Sequence, residues 1–229
     1  MAKNGIDVSE WQGIIDWQQV KTDFCIIRAG YGRLISQRDK FFDENYKGCK
    51  NNLIPCGAYW YSYALSPDEA VSEANACRSV IAGKKFEYPI YFDVEEQSQF
   101  ALGKKAVSEI IRAFMNTLEA DGYWVGLYMS SYYLENFVEE DIKERYAIWI
   151  ADYSSTPPDY SGNYGMWQKS ATGSIGGIAG DVDVDICYKN YPEDMENAGL
   201  NGYDTPNKKV VSITAMIDGI TYSGKLSEI

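Results

Sequence analysis

Tyr88-Pro89-Ile90-Tyr91-Phe92-Asp93-Val94-Glu95 reads as an apolar strand that ends in two acids. Alternate residues of a strand point to the same face, so Asp93 and Glu95 share one face while Val94 points away. Their Cα atoms stand roughly 6–7 Å apart by the strand rise. Two carboxylates that close resist ionising together, which raises one pKa and suits that group to act as a general acid near neutral pH. Taken alone, the pair reads equally well as a solvated acidic loop, extended by Glu96.

Outward from this segment the same pattern recurs. Apolar or alternating runs cover Gly5–Ser9, Phe24–Gly30, Ile54–Ala64, Tyr123–Ser130, Ala147–Tyr153, Tyr164–Lys169 and Val182–Tyr188. Helical segments fit between the first six strands: a short one near Trp17–Lys21, then Lys40–Asn51, Pro67–Ala82, Lys105–Ala120 and Tyr132–Arg145. Ser66 before Pro67, with Asp68 and Glu69 behind it, is a helix start, and Ala120-Asp121-Gly122 is a stop. After residue 153 the spacers shorten and turn rich in Gly, Ser and Pro, leaving no room for further crossover helices.

Five β/α units followed by three strands predict an α/β fold, an irregular TIM-like barrel of eight strands. Alternating β and α elements predict a parallel sheet with right-handed crossovers, and the active site of such a barrel lies at the C-terminal strand ends. Asp7, Asp93, Glu95 and Asp152 fall near those ends. Asp183 falls near the start of the last strand, where a parallel reading does not bring it to the same mouth. The run Asp181-Val182-Asp183-Val184-Asp185 places alternate carboxylates on one face, which is costly to bury without a function; an exposed edge or a cation-binding strand is the competing reading. Asp7 alone reads as a cap or turn residue.

The barrel is expected over 1–188, followed by a polar linker over 189–209 and a β-hairpin tail over 210–229 that turns at Asp218-Gly219. A lone hairpin is marginal in water, so the tail packs on the barrel, self-associates with another chain or begins a further module.

Composition removes several chemistries. The chain has no histidine, which excludes Ser-His-Asp and Cys-His catalysis and histidine metal centres, so acid–base groups must be carboxylates. The five cysteines lack any C-x-x-C spacing and sit in or beside apolar runs, which points to buried thiols and to no metal site. A formal net charge of −12 disfavours nucleic acid as a partner. The 19 Tyr and 6 Trp suit glycan stacking, or simply fill strands. No apolar run approaches the roughly 18 residues of a membrane span, and Met1-Ala2-Lys3-Asn4-Gly5 lacks the apolar stretch of a secretory signal. Synthesis in a cytoplasm, with no membrane partner, is the expectation.

In order along the chain stand Gly5-Ile6-Asp7-Val8-Ser9 with Trp11-Gln12-Gly13, Ile26-Ile27-Arg28-Ala29-Gly30, Gly57-Ala58-Tyr59, Asp93-Val94-Glu95, Gly126-Leu127-Tyr128, Trp149-Ile150-Ala151, Trp167-Gln168 and Gly180-Asp181-Val182-Asp183. With these motifs the chain resembles the lysozymes of glycoside hydrolase family 25, the N-acetylmuramidases of phage endolysins and bacterial autolysins, from Gly5 to about Tyr188. The resemblance implies a barrel of five β/α units and three strands. It implies Glu95 as general acid with Asp93 as its partner, and Asp7 and Asp183 completing the acidic pocket. It further implies that Tyr59, Tyr61, Tyr128, Trp149 and Gln168 line the sugar site, with no cofactor and no metal. Trp60 departs from the family, which often has His there.

The implied reaction is cleavage of the β-1,4 bond between N-acetylmuramic acid and N-acetylglucosamine in peptidoglycan, at the bacterial cell wall after release from the cell. Two carboxylates can serve as acid and nucleophile, or as acid and base with inversion. In a third route the substrate's own 2-acetamido group attacks, oriented by Asp93; this is the route favoured here. A chitinase-type motif is not met, since Tyr91 and Tyr88 stand where that pattern needs acids. The competing class is a catalytically silent glycan-binding barrel.

Overall fold

Eight strands close into a barrel in chain order: β1 Lys3–Val8, β2 Phe24–Tyr31, β3 Cys56–Tyr61, β4 Ile90–Asp93, β5 Val125–Ser130, β6 Ala147–Ala151, β7 Met166–Gly173 and β8 Val182–Cys187. The structure is a computed structural model that describes residues 2–204, 211–217 and 220–226. Strands β1 to β7 run parallel to their neighbours. Strand β8 is antiparallel to both β7 and β1. The expectation of a parallel sheet therefore fails at the last strand. Only the eight residues from Ser174 to Asp181 join β7 to β8, whereas a parallel crossover needs a dozen or more.

The helices are α1 Phe42–Asn51, α2 Pro67–Ile81, α3 Gln97–Phe100, α4 Lys104–Glu119, α5 Ser131–Phe137, α6 Glu140–Arg145 and α7 Tyr191–Ala198. α2 starts as its sequence predicts: Ser66 accepts from Glu69 N–H at 3.3 Å, Pro67 follows, and two acids occupy the first turn. Such a cap is worth about 1 kcal/mol. The helix expected near Trp17–Lys21 is absent; the segment is a series of turns, with Trp17 buried so tightly over Gly48 that a Cβ there would stand 2.2 Å from the indole. The helix expected over Tyr132–Arg145 breaks between α5 and α6, where Val138 is buried and Glu139 N–H donates to Ser108 Oγ at 3.0 Å.

Side chains of alternate strand residues divide into two apolar groups. One lies between strands and helices; the other fills the barrel with Phe24, Ile26, Tyr88, Tyr91, Tyr128, Trp149 and Met166. Gly5 and Gly126 are the small counterparts of these rings: an added Cβ would stand 2.2 Å from Phe24 and 2.5 Å from Tyr91. The lower end is shut by α7, whose Tyr191 meets Tyr88 edge-on at 5.7 Å, and by Asn201, which donates to Tyr88 O at 2.9 Å. With the floor plugged, the pocket lies at the end where β1 to β7 finish.

Beyond residue 210, β9 Val211–Ile217 pairs antiparallel with β10 Ile220–Leu226 as a separate two-stranded sheet. The turn expected at Asp218-Gly219 lies outside the described residues.

Candidate active site

The reversal of β8 brings its start to the mouth. Asp183 stands in register opposite Asp7 on β1, and Asp185 stands opposite both Gly5 and Gln168. A pocket of about 280 Å³ at this mouth is lined by all four acids expected there, Asp7, Asp93, Glu95 and Asp183. The same pocket takes in Tyr59, Tyr61, Tyr128, Trp149 and Gln168. Asp152 stays outside it, since its backbone N–H and C=O bond Gln168 O and Trp167 Nε1 while its carboxylate accepts from Ser131. Trp60 also faces away, buried on the helix side with Nε1 donating to Gly32 O at 3.0 Å.

Asp93 ends β4 and is buried, and its Oδ1 has no hydrogen-bond donor among the described residues. Removal from water raises both groups, Asp93 the more strongly. The charge of neighbouring Glu95 bears on Asp93 and raises it further; Asp93 in turn lowers Glu95, which the charges of Asp183 and Glu96 raise. Glu95 stands at the rim with Asp93 beneath it.

Across the mouth, Gln168 organises the other acids. Its Nε2 donates to Asp7 Oδ2 at 2.8 Å, and its Oε1 accepts from Tyr128 OH at 2.7 Å and Tyr153 OH at 2.9 Å. Burial pushes Asp7 well up, with Asp185 and Asp183 adding to the shift, and pushes Asp183 up to about 6. Trp149 is boxed by Tyr59, Tyr91 and Tyr128, with ring centres 6.2, 5.2 and 4.5 Å away. The hydroxyls of Tyr59, Tyr61 and Tyr128 are raised, first by burial, so they remain neutral donors.

Two residues at the site stand in motifs quoted above without having been assigned to it. Arg28, from β2, is the one cation lining the pocket among the described residues, pinned by Asp39 at 2.7 Å and Glu10 at 2.8 Å. Its signal was an arginine inside an otherwise apolar strand. Asp185 lies fully buried below the pocket and accepts from Trp149 Nε1 at 2.9 Å, yet among the described residues its Oδ2 has no donor. Burial raises it well above the usual carboxylate range.

These raised acids bind protons more tightly in the folded chain than in the unfolded one. Their contribution to stability is full below the ordinary carboxylate range and is lost as pH climbs through the folded values. The loss begins above the ordinary value of 3.8, passes about 6 for Asp183 and continues upward for Asp7, Asp93 and Asp185. The chain is therefore expected to melt at a higher temperature at pH 5 than at pH 8. Asp185→Asn keeps the acceptor for Trp149 and supplies a donor without a titrating proton. It should raise Tm at pH 8 by ~3 °C for each kcal/mol recovered and flatten the pH dependence. An unchanged slope in melts across that range would mean that Asp185 holds no proton.

Residues 6–178 match the family described as Glycosyl hydrolases family 25. The autolytic lysozyme of Clostridium acetobutylicum is 29% identical over 186 residues, spanning 79% of this chain and 54% of that protein. The modular autolysin LytC from Streptococcus pneumoniae, in complex with a synthetic peptidoglycan ligand, superposes with a TM-score of 0.71 at 30% identity, over 82% of this chain and 47% of that one. The bacterial lysozyme from Streptomyces coelicolor gives a TM-score of 0.72 at 26% identity, over 82% of this chain and 92% of that one. The chain thus spans about half the length of the first two.

Proposed function

The chain belongs to glycosyl hydrolase family 25, and from this we propose that it is a peptidoglycan hydrolase, a muramidase cleaving the β-1,4 bond between N-acetylmuramic acid and N-acetylglucosamine. The observation that carries the reading is the gathering of Asp93, Glu95, Asp7 and Asp183 at the mouth of a tyrosine-walled pocket. Burial favours a proton on Asp93 in the free site; in the productive state that proton stands on Glu95, at the rim, which gives it to the leaving oxygen while Asp93 beneath is a carboxylate.

Two carboxylates can serve as acid and nucleophile or as acid and base, but the proposed substrate carries a 2-acetamido group beside the scissile bond, which favours attack by its own oxygen on the anomeric carbon. Asp93, whose Oδ1 lacks a donor, accepts from the acetamido N–H and offsets the positive charge that grows on it. Asp7 and Asp183, held by Gln168 and by register, form the far wall; Tyr59, Tyr61, Tyr128 and Trp149 hold the sugar faces.

We place the action at the bacterial cell wall, with peptidoglycan as the partner. Among the described residues no helix is long and apolar enough to cross a membrane. The catalytic unit is the barrel, taken past the expected 1–188 to include the floor helix α7 and Asn201, and any self-association is assigned to the hairpin β9–β10. A truncation after Asp204 keeps the floor helix α7; equal molar mass for it and the full chain, by light scattering, removes that assignment.

The function is tested by reducing-end release from purified peptidoglycan with product masses. Muramic acid at the new ends supports the assignment. Glucosamine ends mean that the other bond is cut, and no release from several wall types favours the silent glycan-binding barrel.

A further inference from the structure

A carboxylate without a counter-ion lies behind the pocket, on its helix side. Glu73, in the middle of α2, is 0% exposed, and Arg33, the cation that faces it, pairs instead with Glu69 at 2.7 Å. Burying such a group is costly unless its hydrogen bonds are complete. Its Oε2 accepts from Ser62 Oγ at 2.8 Å and its Oε1 from Tyr63 N–H at 2.9 Å. Ser62 Oγ already accepts from Gln99 Nε2 at 2.9 Å and from Ala64 N–H at 3.2 Å. Its single proton therefore points at Glu73, and the cluster is complete only around a carboxylate.

Two segments that frame the pocket leave from this cluster. Ser62 follows Tyr61 directly, and its N–H donates to Asp93 O at 2.9 Å. Gln99 Oε1 accepts from Glu96 N–H at 3.2 Å, and Glu96 Oε1 accepts from Tyr61 OH at 2.8 Å. The turn that carries Glu95 is thus tied at Asp93 by Ser62 and at Glu96 by Gln99.

We propose that Glu73 is a positioning residue for Glu95: through Ser62 and Gln99 its carboxylate fixes the turn Asp93–Glu96 from which the acid projects. This rests on the reading of Glu95 as the acid. Burial pushes Glu73 up to about 7 against its two hydrogen bonds, with Glu69 raising it and Arg33 lowering it. Cys77, one turn further along α2, is the other titratable group facing it, with its thiol raised by burial and by Glu73. The turn is held most firmly above that pH and loosens below it.

Glu73→Gln imitates the protonated form, so kcat for wild type and variant is to be compared from pH 5 to pH 8. The expected ratio is near one at pH 5 and rises to the order of tenfold at pH 8 with KM unchanged, a part of the ~100-fold that a 1 Å misplacement costs. Ser62→Ala, which breaks the link and leaves Glu73 in place, gives the same rise, and the double variant loses no more than either alone. A ratio that is flat across the range, at one or below, overturns the proposal, as does a change confined to KM. If Glu73→Gln does not fold, Ser62→Ala decides by the same criterion. Glu95→Gln runs alongside: activity retained there refutes the acid, whereas an inactive Glu95→Gln with a flat ratio refutes only the positioning role.

Discussion

Glu95→Gln is expected to lower the rate of reducing-end release from peptidoglycan by about 10³-fold, or about 4 kcal/mol in the barrier. The amide has the shape of the acid, but it has no proton to give a leaving sugar. Glu95 stands at the rim, so the fold should not notice: the melting curve should move by no more than ~0.5 kcal/mol, as for other surface changes. The pH profile of the wild type follows from the same group. The acid works protonated, and burial raises it from the ordinary carboxylate value. Activity therefore falls as pH rises through the value of the Asp93–Glu95 pair. Residual activity within tenfold of wild type, with unaltered product masses, would place the acid elsewhere in the pocket.

That this site could be read before the structure was known has a physical reason, and so has what could not be read. Tyr88–Glu95 announces itself because a central barrel strand is apolar throughout and can end in acids only at its open end. Asp183 did not fit, because a parallel strand would have put it at the floor. The eight residues before β8 were the missing clue, too few for any crossover. Arg28 and Asp185 could be seen as charges within apolar strands, but their partners Asp39 and Trp149 lie 11 and 36 residues away, and no local pattern carries such pairings. The same holds for Glu73, which in sequence is one more polar residue of an amphipathic helix. Its role depends on Ser62, just past β3, and on Gln99, in α3. α7 was hidden for a different reason: Tyr191 and Met195, which seat it under the barrel, lie in a stretch otherwise polar enough to read as a linker.

Asp93→Asn should cost nearly as much as loss of the acid, about 10²–10³-fold in kcat, of the size seen when one preorganised group facing developing charge is removed. In the proposed route the acetamido oxygen closes on the anomeric carbon, and positive charge spreads over the ring so formed. Asp93 is suited to that charge. It is buried; among the described residues its Oδ1 lacks a donor and the one cation lining the pocket, Arg28, is pinned by Glu10 and Asp39. Asparagine keeps the size and leaves a neutral dipole. A bicyclic thiazoline of N-acetylmuramic acid, which imitates the closed ring, should therefore inhibit the wild type far more strongly than Asp93→Asn. The product should keep the configuration of the substrate, since the ring forms on one face and water opens it from the other. The competing route, with Asp93 as nucleophile, gives retention as well, so stereochemistry alone does not separate them. It does require a sugar ester on the enzyme. Mass spectrometry of wild type quenched during turnover should show no such adduct, and a muramyl ester on Asp93 would sink the substrate-assisted route.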